Sequence, residues 1–457
     1  MQHLHRVTRM TALVLGITGA LALGQAQATG FQLRETSVKS LGRANSGTAV
    51  AEGDASVVSG NPAAMVNLDT TTVRTDVTVI DLTAKFTGGG TTAVGTPLNG
   101  GSGGDPGDPI AVPALAVVMP MTGAFEGLTL GASVSAPFGL KTEYDAAWVG
   151  RYNAITSDLK TVDLTLSAAL KLHETFSIGA ALVYERADVT LSNAIDYGTA
   201  ICVASGVASC FNPASPFRPQ ANDGTVEISG DDTGFGWLFG AQWRPTDKLS
   251  IGYAHRSEID HDLEGEADFT IPQSVAAVFG ATGNMSANDG AIFAPLTTPS
   301  IDTLSVRYDF SDSFRMMGDV QSTDWHSLKS VTVYRSNGAL LGPPEAFNWD
   351  DTMYYSLGAE FDLSDSFTLR AGVAIDETPT NNEARTPRLP DNDRNLYSVG
   401  LTWNMSSNLS IDAAYQRIEI DTPTIDVRSS SSSRLVGEFD SDSAHADLFG
   451  VSAQYKF

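Results

Sequence analysis

Over its last nine residues the chain alternates without interruption: Phe449, Val451, Ala453, Tyr455 and Phe457 are apolar, and Gly450, Ser452, Gln454 and Lys456 between them are small or polar. Successive side chains of a β-strand point to opposite faces, so this pattern predicts a strand with one face suited to lipid and the other to a polar interior. The same period recurs upstream, broken by connections of two kinds. At residues 171–179, 244–252, 308–316, 361–369 and 403–411 a strand-like run ends in a few polar residues, mostly Ser, Asp, Asn or Thr, and an apolar residue re-enters at once. Those residue types bond back to their own backbone and favour tight turns. Residues 121–128 have the same form. The other connections are long and rich in Gly, Pro, Ser and Asp: residues 87–110, 138–159, 194–225, 265–300, 335–348, 378–393 and 421–443.

Short turns on one rim and long loops on the other are the arrangement of a bacterial membrane barrel, with the long loops outside. Six short turns join twelve strands in pairs, a further strand enters at residues 70–86, and one leaves at the C-terminus, which predicts fourteen. The expected fold is an all-β transmembrane barrel of about 14 antiparallel strands over residues 70–457. An even count lets the first and last strands meet and pair, so that no unsatisfied edge faces lipid.

The start of the chain sets the compartment. Arg6 and Arg9 precede an apolar run from Met10 to Leu23, and Ala26, Gln27 and Ala28 close it, which reads as a signal peptide over residues 1–28. No later stretch approaches the ~18 consecutive apolar residues of a membrane helix, so the expected site is the bacterial outer membrane. The net charge is −25, and removing the signal, with two arginines and no acid, leaves −27. Such a balance argues against a nucleic-acid partner. The acids gather in expected loops, as at Asp105, Asp108, Asp231, Asp232, Glu258, Asp260, Asp262, Glu264 and Glu266. Solvation accounts for most of them, and divalent cations at a lipopolysaccharide-covered surface could bridge others. Cys202 and Cys210, the two cysteines, sit in a long loop with no His nearby, and in an oxidising compartment they read as a loop-closing disulfide and not as metal ligands.

Residues 29–69 read differently. They carry little alternation, and Gly42, Ala44, Ser46, Gly47 and Ala49 lie close together, which suits short helices packed tightly inside something, such as a plug in the lumen. Gly30, Phe31, Gln32 and Leu33 at the start, then Leu41, Gly42, Arg43 and Ala44 with Ser46 and Gly47, and finally Asn61, Pro62 and Ala63, resemble the FadL-type family. The resemblance implies a monomeric fourteen-stranded barrel closed by a small, partly helical N-terminal hatch, taking up long-chain fatty acids or, in some members, aromatic hydrocarbons. It further implies capture at an apolar groove between external loops, an internal pocket beside the N-terminus, and sideways release at a kinked third strand. Carried over by position, Gly30, Phe31, Gln32 and Leu33 are the gating segment, and Asn61, Pro62 and Ala63 the hatch motif. The third strand, residues 128–136, runs into Pro137, Phe138 and Gly139; Pro removes a ladder donor and Gly loosens the backbone, so Pro137 and Gly139 mark either the kink or the start of the next loop. Sideways release suits the ligand, because moving an acyl chain through water forfeits roughly 0.8 kcal/mol per methylene.

Other features bear on competing functions. Phe138, Trp148, Phe279 and Phe293 are apolar residues in expected loops and fit either an external groove or loop-on-loop packing. Arg43 is expected to bond to wall acids, while Arg186, Arg307, Arg315 and Arg370 are lumen-side candidates for a ligand headgroup. His255 and His261 among acids do not have the spacing of a metal site and read as a solvated loop. Gly88, Gly89 and Gly90 read as a loop tip, with no following helix to cradle phosphate. No hydrolase, metalloprotease or Cys–His motif is present, and neither a cofactor nor an enzymatic function is expected. An aromatic hydrocarbon or alkane uptake channel is the alternative; an open porin and a barrel enzyme or adhesin are less favoured, and residues 30–65 discriminate against the porin.

Overall fold

The computed structural model describes residues 30–440 and 444–457; the expected signal peptide lies outside them. A closed barrel of 14 antiparallel strands forms the wall. Its strands are β1 (Thr72–Thr83), β2 (Ile110–Pro120), β3 (Leu128–Ser135, resuming at Gly139–Glu143), β4 (Thr156–His173), β5 (Phe176–Asp196) and β6 (Asp223–Thr246). They continue as β7 (Leu249–Arg256, then Ile259–Thr270), β8 (Gly290–Thr298, then Ile301–Asp309), β9 (Phe314–Thr323) and β10 (Thr352–Ser364). The last four are β11 (Phe367–Asp376), β12 (Arg394–Asn404), β13 (Leu409–Ile420) and β14 (His445–Lys456). β1 pairs with β14 from Thr72 opposite Lys456 to Thr83 opposite His445, which closes the sheet.

Alternation fixes which side of each strand faces lipid. Leu166, Leu182, Phe235, Val373, Val399 and Val451 are exposed outward positions, whereas their strand neighbours turn inward. Exposed Phe176, Trp243, Phe361, Phe367, Trp403 and Tyr455 all lie within a few residues of the short turns or the C-terminus, so they ring one rim as an aromatic girdle. All six expected tight turns join consecutive strands. The Gly-rich stretch read as a loop tip is instead a strand, Phe86–Thr91, which pairs with Arg434–Phe439, itself paired with Thr424–Arg428 to make a small outer sheet.

Residues 30–68 form short helices, α1 (Val38–Leu41) and α2 (Val57–Gly60), and two 3-10 turns, Thr48–Val50 and Pro62–Asn67. This segment meets the wall on every side: Met65 lies against Gly131 of β3, Asn61 against Gly240 of β6, Ala49 against Gly252 of β7, Arg43 against Gly372 of β11 and Val38 against Gly450 of β14. Only a segment in the lumen can touch all of these strands. At Gly42 and Gly400 of β12 two glycines face each other, and a Cβ on either residue would come within 2.8 Å of the other's Cα. Two glycines let the backbones pass where any side chain would hold them apart.

Local chemistry explains why the segment folds as it does. Ser37 caps α1 by accepting from Ser40 N–H at 3.3 Å. Asn61 accepts from Ala63 N–H at 3.0 Å and donates to Ala49 O at 2.7 Å, while Pro62 starts the 3-10 turn where its missing N–H is of no consequence. Buried ion pairs tie the segment down: Arg43 bonds Glu360 of β10 at 2.7 Å, and Arg74 of β1 reaches Asp54 at 3.4 Å as well as Asp76 at 2.7 Å and Asp412 of β13 at 2.9 Å. The expected pairing of Arg43 with a wall acid is what the lumen contains.

Candidate ligand site

Above α1 the chain start runs along the broken strand β3. Between Ser135 and Gly139 that strand leaves the ladder: its first arm pairs with both β2 and β4, its second with β4. Phe138 keeps its backbone bonds to Thr161 of β4, and the groups of Pro137 and Gly139 on the other edge are taken up by the N-terminus. Leu33 N–H donates to Pro137 O at 2.7 Å, Gly139 N–H donates to Phe31 O at 2.7 Å, and Gln32 forms a bridge to Phe138. Pro137 and Gly139 thus mark a break in the strand, and residues 31–33 stand in as a short extra strand across it.

The side chains around this pairing are apolar and buried. The Phe31 ring meets Trp325 edge-on at 4.7 Å, Phe138 at 5.9 Å and Trp349 at 5.6 Å, and the two tryptophans meet at 5.0 Å. Leu140, Leu159, Leu263, Leu296 and Leu389 complete the cluster, drawing on β3, β4, β7, β8 and the loop after β11. Gln32 anchors one side through Gln321 and Thr323 of β9, both at 3.1 Å. Gly30 has a positive φ of 59° and gives its N–H to Asp391 at 3.0 Å. Next in the chain, burial pushes the Glu35 carboxyl above its usual range, against the opposing pull of Arg34.

Polar groups border the cluster without entering it. Arg256 lies 5.8 Å from the Phe138 ring and pairs with Asp163 at 2.6 Å and Glu185 at 2.8 Å. On the other side Arg34 lies over Tyr354 at 4.1 Å and pairs with Asp376 at 2.8 Å. The headgroup candidates read from the sequence fare differently. Arg186 points outward and is exposed, bonded to Asp188 and Asp231, which corrects its assignment to the lumen side. Arg307, Arg315 and Arg370 are ion-paired to Glu52, Glu360 and Glu360 respectively, at 3.0, 2.6 and 2.8 Å.

The four aromatic residues read as one external groove are not brought together. Phe138 belongs to the Phe31 cluster; Trp148 is buried in a loop core, stacked on Tyr144 at 4.2 Å; Phe279, on the loop helix α3 (Gln273–Thr282), meets Tyr197 at 5.5 Å; Phe293 stacks on Tyr334 at 5.1 Å. Cys202 and Cys210 are joined as a disulfide in the loop between β5 and β6. His255 and His261 lie on β7 and not in a solvated loop: His261 is buried and bonds Glu185 at 3.0 Å, and His255 bonds Asp302 at 3.0 Å. Trp325 and Trp349 were missed by sequence reasoning, because each stands alone in a long loop and no periodicity points to it.

A closed lipid-facing barrel, an internal segment held by buried ion pairs and an apolar cluster at a break in the wall define an outer-membrane transporter for hydrophobic compounds. The chain belongs to the OMPP1/FadL/TodX family of outer membrane transport proteins, whose profile matches residues 19–457. It is 29% identical over 417 residues to a long-chain fatty acid transport protein of Escherichia coli, covering 89% of this chain and 90% of that one. A Pseudomonas aeruginosa FadL homologue of known structure superposes with a TM-score of 0.85 at 26% identity, covering 94% of this chain and all of that one. The Pseudomonas putida toluene transporter TodX shares the fold, with a TM-score of 0.65 at 16% identity over 94% of this chain and 100% of that one.

Proposed function

We propose that this chain, acting as a monomer, carries long-chain fatty acids passively across the outer membrane. Residues 1–28 are its signal peptide, 29–69 its hatch and 70–457 the barrel. The observation that carries the reading is the pairing of Phe31 and Leu33 with the broken stretch of β3, inside an apolar cluster that has arginines at its border. An acyl chain takes the place of Phe31 among Trp325, Trp349 and Phe138, and its carboxylate turns to Arg256 or Arg34. As the ring is pushed out the backbone of residues 31–33 shifts with it, so Gly139 N–H loses the Phe31 carbonyl and the seal at the break loosens, through which ligand leaves sideways. Capture precedes this at the external loops, where Phe279 on α3 supplies apolar surface. The identity to fatty acid transport proteins supports the choice of ligand. A pocket built from four aromatic rings also suits a small aromatic hydrocarbon, which is the second reading.

The test is equilibrium binding of a fluorescent long-chain fatty acid to detergent-purified protein, competed by oleate and separately by toluene. Competition by oleate is expected. Displacement by toluene alone would shift the assignment to aromatic hydrocarbons, and no binding of the fluorescent probe would refute the pocket.

A further inference from the structure

The wall has a second interruption, on strands that the sequence read as solvated loop. β6 pairs with β5 over its whole length. Its other edge is different: the ladder with β7 stops at Leu238 opposite Arg256 and resumes at Asp231 opposite Glu264, with the register shifted by one residue. Residues 232–237 on β6 and 257–263 on β7 therefore face each other without ladder pairs, a seam of roughly 20 Å at the usual rise per strand residue. The bonds that bridge it are Ser257 N–H to Trp237 O at 3.0 Å, Trp237 N–H to Ser257 Oγ at 3.0 Å and Asp262 N–H to Asp232 Oδ2 at 2.8 Å. Two of these three borrow a side chain.

One residue fills the seam. Ile259 is buried against Gly234 and Gly236; a Cβ on Gly236 would meet Ile259 Cδ1 at 2.7 Å. Outside, Phe235 is 77% exposed and Trp237 50%, so the β6 edge of the seam presents lipid-facing aromatic surface, while Glu258, Asp260 and Asp262 are exposed along its β7 edge at the water boundary. Inside, Leu263 packs in the same cluster as Phe31 and Phe138. Beneath the seam Arg256 and His261 meet Glu185 and Asp163, His261 Nδ1 lies 3.8 Å from Asp232 Oδ2, and Arg256 Nε is buried without a hydrogen-bond partner. A buried donor left unmatched is rare and costly, and Arg256 Nε lies where a passing carboxylate would meet it.

We propose that the seam between β6 and β7 is a second side portal, latched by Ile259, through which an amphiphile dissolved in the membrane enters the Phe31 pocket. Phe235, Ile259, Leu263 and Phe138 offer an acyl chain a run of apolar side chains from wall to pocket, while its carboxylate stays among the polar groups that flank the seam and reaches Arg256. The portal rests on the pocket assigned above. It differs in place from the break in β3: it lies on strands three and four positions further along the wall.

The experiment locks the seam. G236C combined with I259C places two cysteines across it, and A241C with Y253C places two across the intact ladder as a control. Each protein is reconstituted in liposomes holding a fluorescent long-chain fatty acid in the bilayer, and bound probe is counted over time after rapid transfer to detergent. Oxidising the seam pair is expected to slow loading at least fivefold while leaving equilibrium binding in detergent unchanged, and I259A is expected to speed loading. The control cross-link should change neither. Loading by the oxidised seam pair at the control rate would overturn the portal while leaving the pocket intact. Absence of probe binding in detergent would overturn the pocket and the portal with it.

Discussion

At the scale of residues, the centre of the molecule is a single phenylalanine. Phe31 touches two tryptophans and a second phenylalanine contributed by elements far apart in sequence, and its carbonyl completes the hydrogen bonding of Gly139. Aromatic pairs of this kind contribute about 0.5–1.5 kcal/mol each beyond the area they bury. Replacing Phe31 by Ala empties the pocket it occupies and leaves the backbone pairing in place. If ligand competes with the Phe31 ring for the pocket, F31A should bind a fluorescent fatty acid more tightly than the wild type. W325A removes a wall of the same pocket and should weaken binding by about tenfold, near 1.4 kcal/mol. A titration of both variants separates the roles: equal weakening in the two would mean that Phe31 is part of the ligand surface and not its occupant. The sequence pointed to Phe31 through its motif, but Trp325 and Trp349 become partners only when the loop between β9 and β10 folds back over the barrel mouth, a long-range event that no local pattern records.

At the scale of elements, the tight turns were legible because their chemistry is local. A polar residue such as Ser406 accepts from the backbone just beyond it, here Asn408 N–H at 3.3 Å, and the next strand begins at once. The outer arm of β7 was read as an acidic loop for a physical reason: beyond the lipid band the outward positions of a strand face water. Asp260, Asp262, Glu264 and Glu266 are those outward positions, while Ile259, His261, Leu263 and Ala267 turn inward and are buried. The period of two was present, with acids in the place of leucines. Pro137 and Gly139 offered both a kink and a loop start; the pairing with β4 stops at Ser135 and resumes at Gly139. The short strand that the N-terminus adds across this kink makes a separate prediction. In L33P the donor to Pro137 O is gone, so residues 31–33 should detach from β3, and the Gly139 amide should exchange with solvent at least tenfold faster than in L33A, which keeps the N–H. Equal exchange in the two variants, followed residue by residue, would show that the break in β3 holds itself closed without the N-terminus.

At the scale of the whole molecule, the barrel and the segment inside it are held together by charge as much as by packing. Arg43 on Glu360 crosses from segment to wall, but Arg370 and Arg315 also reach Glu360, and Arg74 reaches both Asp76 and Asp412 within the wall. Glu360, Asp76 and Asp412 therefore keep wall partners when the segment is taken away, although Asp319 loses the bonds that Gly47 and Thr48 give it, and the sheet is closed by twelve matched pairs between β1 and β14. Removing one member of a buried ion pair is costly mainly because the other charge is left dry; in an emptied lumen water reaches Glu360, so that cost is relieved. A chain lacking residues 30–65 should accordingly fold into the same barrel and become permeable to ions. The check is single-channel recording in planar bilayers, with heat-dependent gel mobility to confirm the folded barrel. Large, steady conductance from the truncated protein and near silence from the full-length one would establish that the N-terminal segment closes the lumen. A folded truncated barrel that stayed silent would mean that the loops which bury Trp325 and Trp349 also close the mouth, and that the segment serves the ligand pocket alone.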